Sequence, residues 1–142
     1  MKTNFHFIRT AAIGFACCAA FMLPGIATAK SCKDVTIKVD NDFEHDGSPV
    51  QIKVVDFDYW DDGEGKWREE DRVGDLVIDF NNGSRTLTTR NLEYVGGESG
   101  VIIRVQFKYM TATNGWSETL NAQTPTFTCN GPITKTVTVL PL

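Results

Sequence analysis

The sequence predicts an all-β domain: a single immunoglobulin-like β-sandwich of seven or eight strands closed by one disulfide. Three observations predict it. Apolar residues alternate with polar ones in short runs between Val35 and Val139, the pattern of half-buried strands. Turn formers such as Asp46-Gly47, Asn82-Gly83, Asn114-Gly115 and Asn130-Gly131-Pro132 separate those runs. No stretch of ten or more residues carries apolar side chains at i, i+3, i+4 spacing. A small β-barrel is the alternative arrangement of the same strands.

Residues 1–29 read as a cleaved secretory signal peptide. Lys2 and Arg9 open it, residues 11–23 are apolar, Pro24-Gly25 breaks the run, and Ala27-Thr28-Ala29 is a small-x-small cleavage site. The apolar run of 13 residues is shorter than the roughly 20 helical residues that span a bilayer. The mature chain, residues 30–142, is expected to be secreted or periplasmic and to form one domain. It contains no second apolar run long enough for a transmembrane helix. Cys17 and Cys18 leave with the signal, so Cys32 and Cys129 remain as an even pair in an exported domain, and a disulfide between them is expected. Spanning 97 positions, it is worth about 4–5 kcal/mol on the chain-entropy model.

Taken in order, Val35, Ile37 and Val39 define a first strand, and Val50, Ile52 and Val54 begin a second. The apolar phase then slips by one to Val55, Phe57 and Tyr59, which predicts a β-bulge near Val54-Val55. Leu76, Ile78 and Phe80 give a third strand, with Asn81-Asn82-Gly83 as a hairpin turn into a fourth around residues 85–89. Val101, Ile103, Val105, Phe107 and Tyr109 make the clearest strand. A weaker one is expected at residues 126–129, and Ile133, Val137 and Val139 close the domain, with Lys135 interrupting their alternation.

Without the signal, 12 Lys and Arg face 18 Asp and Glu, a net charge near −6. Nucleic acid is thereby disfavoured as a partner, because neutralising phosphates requires clustered cations. The charge is uneven. Residues 30–79 hold 15 acids and 7 bases, and residues 80–142 hold 3 acids and 5 bases. If the two halves contribute neighbouring strands, the domain has an acidic end built from two loops.

In the first loop, Asp42, Glu44 and Asp46 precede Gly47 with the alternate-residue spacing that opens a calcium loop, although Lys53 stands at the closing position. In the second, Asp58, Asp62, Gly63 and Glu69 fall at the first, fifth, sixth and twelfth positions of such a loop, with Trp60 in place of an oxygen ligand. The six acids together form a candidate calcium site; the competing reading is a solvated acidic face. Trp60, Trp67 and Trp116, with Asp58, Asp61, Asp62 and Glu69 as polar neighbours, are the candidate binding residues. Aromatic rings beside carboxylates suit a sugar ring or a protein interface, and the same rings also serve to cap a core. No catalytic residue stands out. His45 is the only histidine outside the signal, no Gly-x-Ser-x-Gly elbow occurs, and no carboxylate pair is singled out by spacing.

These readings converge on a non-enzymatic binding module that engages a protein or carbohydrate ligand through acidic and aromatic loops, ordered by calcium if the loops bind it. The alternative is a structural subunit of a surface appendage or coat that pairs through strand edges. A membrane-active secreted protein is a third reading, opposed by the acidic charge.

Overall fold

The computed structural model describes residues 30–70, 74–80 and 83–141. The expected signal peptide, and Asn81 and Asn82 of the expected hairpin turn, lie outside them. The described residues contain ten strands and no helix: β1 (Cys32–Asn41), β2 (Glu44–His45), β3 (Ser48–Pro49), β4 (Ile52–Asp61), β5 (Lys66–Glu69), β6 (Leu76–Ile78), β7 (Ser84–Leu92), β8 (Ile102–Tyr109), β9 (Leu120–Gln123) and β10 (Ile133–Val139). The fold is all-β, and among the described residues no helix is long and apolar enough to cross a membrane.

The strands form two principal sheets. One has the order β10-β1-β7, with β1 parallel to β10 and antiparallel to β7. The other runs β5-β4-β8-β9, and β6 joins it on the same edge of β4 as β5. β2 and β3 are a separate hairpin. Neither sheet closes on itself, so no barrel forms. Val35, Ile37, Val39, Val137 and Val139 from the first sheet meet Ile52, Val54, Phe57, Ile103, Val105 and Phe107 from the second in one buried cluster. The period-2 spacing on β1, β4 and β8 has placed all of these side chains on inward faces.

The expected bulge is present. Val54 pairs with Phe107 and Asp56 with Gln106, which leaves Val55 as the extra residue. The expected third and fourth strands do not pair with each other, however: β6 adds to β4 and β7 to β1. The connection between them therefore changes sheets, and Phe80 is exposed instead of continuing the inward face. Four further strands, β2, β3, β5 and β9, form where the sequence predicts none. β2 and β3 are joined by Asp46 (φ 53°) and Gly47 (φ 71°), the two positive-φ residues of a primed hairpin turn. β5 and β9 are short strands of ordinary polar composition that form because β4 and β8 offer them edges. The strand expected at residues 126–129 is reduced to one bridge, Val101 to Phe127. Pro125 has no amide to donate, and the chain here crosses from β9 in one sheet to β10 in the other.

Cys32 and Cys129 form the disulfide, with Cα atoms 5.6 Å apart and both side chains buried. Cys129 lies in the crossing segment rather than in a strand. Around the disulfide the Gly96 amide donates to the Lys30 carbonyl and the Gly97 amide to the Cys129 carbonyl, each at 2.7 Å.

Candidate functional site

The ladder of the five-stranded sheet assembles the candidate residues on its outward face. Ile103, Val105 and Phe107 point into the core, so Ile102, Arg104, Gln106 and Lys108 point outward. Register then decides what stands beside them. Trp60 is opposite Ile102 on one side and Trp67 on the other; Asp58 lies between Arg104 and Glu69; Asp56 faces Gln106, and Lys53 faces Lys108. Trp116 joins the same face through its bridge to Met110. All three tryptophans thus lie on one sheet face and are half-buried there, although Trp60 and Trp67 belong to strands and not to loops.

At the Trp60 end the side chains are locked together. The Trp60 and Trp67 rings meet edge to face at 5.6 Å. The Arg104 guanidinium lies 4.0 Å from the Trp67 ring centroid. It also donates to Asp58 Oδ2 through Nε at 3.0 Å and Nη2 at 2.6 Å, and Gln106 Nε2 reaches the same oxygen at 3.4 Å. Asp58 is 1% exposed despite its outward direction. A carboxylate so covered costs several kcal/mol in desolvation, and the charge-assisted bonds from Arg104 offset that cost. At the other end Lys53 Nζ sits 4.8 Å from the Trp116 ring centroid and 3.2 Å from Asp75 Oδ2. Between the two ends lies a polar groove of about 350 Å³, lined by Lys53, Val55, Asp56, Gln106, Lys108 and Thr119.

The remaining acids do other work. Asp61, also 1% exposed, accepts from Arg68 Nε at 2.9 Å, from Arg68 Nη2 at 2.6 Å and from the Glu64 amide at 2.9 Å. Burial raises its pKa, but the Glu64 amide and Arg68 outweigh burial and hold the carboxyl below the usual range. Arg68 in turn lies 4.3 Å from the ring of Tyr94, a non-glycine residue held at φ 71°. Asp62 accepts from Trp60 Nε1 at 3.4 Å, and its amide donates to Glu98 Oε2 at 3.1 Å. Glu69 is exposed at the β5 edge.

The two acidic loops lie at opposite ends of β4. The first loop precedes β4 and the second follows it, and even Asp58, within β4, lies six positions beyond its first residue, Ile52, roughly 20 Å of extended chain. Asp42, Glu44 and Asp46 therefore stand apart from Asp58, Asp62 and Glu69. Asp46 instead occupies the primed turn with its side chain 91% exposed. Within the second group Asp58 is turned toward Arg104. No three His, Cys, Asp or Glu side chains among the described residues are grouped to hold a metal ion.

Arg104, Gln106 and Lys53 are the site residues that sequence reasoning missed. Their only signal was to occupy polar positions on the two most regular strands; that they face the tryptophans is a fact of register. A larger, mostly apolar groove of about 540 Å³ lies beyond the Trp116 end of this face, between the β2–β3 hairpin, Phe80 and Met110. Its acidic rim is already engaged, Asp79 with Gln51 and Asp46 with His45. Comparison of the chain with family models, curated proteins and solved structures finds no match.

Proposed function

We propose that this protein is an extracytoplasmic, non-enzymatic binding module whose contact surface is the outward face of the β5-β4-β8-β9 sheet. One observation carries the reading: the register gathers Trp60, Trp67, Asp58 and Arg104 into a single locked cluster, with Trp116 farther along the same face. Binding surfaces favour tryptophan and arginine, and side chains already fixed in place lose little entropy on contact. Export, which the signal-like residues 1–29 suggest, fits a small domain closed by a disulfide. We read the fold as an immunoglobulin-like sandwich whose first strand adds parallel to the last. The alternative of assembly through strand edges draws less support. β7 is the longest edge strand, but its register shifts opposite Ile37-Lys38, and Arg85 and Arg90 interrupt it, two of the devices that protect an edge from pairing.

The test uses disulfide-bonded protein, fluorescently labelled and mixed with surface and envelope material of the producing organism. Trp60→Ala/Trp67→Ala is expected to lose co-sedimentation, whereas Thr36→Ala/Thr134→Ala, on the outward face of the other sheet, retains it. Equal retention by the tryptophan variant and the wild type would remove the basis for this placement.

A further inference from the structure

Resting on the reading above, we infer that the ligand of this face is a neutral linear oligosaccharide lying along β4, from the Trp60–Trp67 pair to Trp116. Four features of the face point there. The first is the distribution of aromatic and charged groups. A protein interface is apolar at its centre and polar at its rim, with charged residues depleted from the core. Here the order is reversed. The aromatic rings stand at the two ends, and the groove between them is lined by Lys53, Asp56, Gln106 and Lys108.

The second feature is the charge. The outward ladder positions carry Lys53, Arg104 and Lys108 against Asp56, Asp58 and Glu69, with Arg104 directly opposite Asp58, so cations and acids are equal in number there on a chain that carries excess acid. Arg104 is bonded to Asp58 and Lys53 to Asp75. A face neutralised in this way has little field to attract a charged polymer. It still presents carboxylate acceptors and ammonium, guanidinium and amide donors side by side. Such a mixture suits hydroxyl groups, each of which is both donor and acceptor.

Length is the third. Lys53, beneath Trp116, and Trp60 are seven positions apart on β4, roughly 23 Å at 3.3 Å per residue, less a little for the bulge. A single sugar cannot touch both ends, and a chain of several can. The fourth is rigidity. Trp60 and Trp67 are on paired strands, with Arg104 fixed against Trp67, so the aromatic end is preorganised to stack on the apolar face of a sugar ring.

The experiment takes disulfide-bonded protein expressed from the full chain and titrates it with neutral linear hexasaccharides of glucose, mannose, xylose and N-acetylglucosamine. Their disaccharides and a polyanionic hexasaccharide serve as comparisons. Calorimetry and tryptophan fluorescence are the readouts, and surface material treated with glycosidase or with protease is tested in parallel. At least one neutral hexasaccharide is expected to bind at least tenfold more tightly than its disaccharide. Trp60→Ala and Trp116→Ala should each weaken it tenfold or more, with Trp60→Phe retaining most of the affinity. Preference for the polyanion overturns the inference. It is equally overturned if no neutral sugar binds while Trp60→Ala/Trp67→Ala still abolishes an interaction that protease destroys and glycosidase spares. In that case the face stands as a contact surface and its partner is a polypeptide. Indifference of every interaction to the tryptophans overturns both readings.

Discussion

Tyr59 shows how far one residue's behaviour depends on its partners. Its position in the second strand is readable from alternation, and its ring is buried as that alternation requires. Its hydroxyl donates to the Glu93 carbonyl and accepts from the Glu93 amide, both at 3.1 Å. Burial, followed by the nearby charge of Glu70, pushes its pKa up to about 12. An unfolded tyrosine ionises near pH 10, so the unfolded state loses its proton first as pH rises. The stability this residue contributes is therefore full below about pH 10 and declines between about 10 and 12. Tyr59→Phe is expected to lower stability at neutral pH by about 1–3 kcal/mol, because the Glu93 amide loses its acceptor. Urea midpoints at pH 9 and pH 11 should fall more in the wild type than in the variant; an equal fall in both would assign the alkaline loss to other groups. Asp58 teaches a related lesson. By its outward direction it reads as a solvated ligand, yet contact with Arg104 and Gln106 turns it into a covered, paired charge.

Among the elements, the amino-terminal strand depends on three attachments: its ladders with β10 and β7, the disulfide, and the carbonyl of Lys30 held by Gly96. Gly96 is glycine for lack of space. A Cβ there would lie 2.7 Å from the Ser31 carbonyl oxygen and 2.8 Å from that of Lys30, and backbone at that distance must move. Gly96→Ala should lower stability, by an amount within the 1–3 kcal/mol typical of overpacked sites. Cys32→Ala/Cys129→Ala should cost about 2–5 kcal/mol. Because both disturb the same attachment, their effects in the triple variant should sum to less than the separate losses. Full additivity in chemical denaturation would separate the two. The pairing of Cys32 with Cys129 was legible from the count once residues 1–29 were set aside. The role of Gly96 was not, because the approach of Lys30 and Ser31 is made by segments more than 60 residues apart.

Over the whole molecule, the distribution of acids follows from topology. Loops that are close in sequence stand at opposite ends of β4, so the acidic half of the chain is divided between both ends. Millimolar calcium is accordingly expected to leave the melting temperature unchanged relative to chelator. A native-state site would raise stability by about 2.7 kcal/mol at a hundredfold excess over its dissociation constant, and a clear upward shift would contradict this geometry. The sequence by itself determined the strands β1, β4, β8 and β10, the bulge at Val55 and the choice of inward side chains. These are set by local alternation, since each side chain's face depends only on its parity along a pleated strand. Tertiary structure alone decided that β6 and β7 part into different sheets, that β5 and β9 are strands at all, and that Arg104 stands against Trp67 and Asp58. Those outcomes depend on which edge each strand finds and in what register, and a strand's own residues specify its pairing partner only weakly.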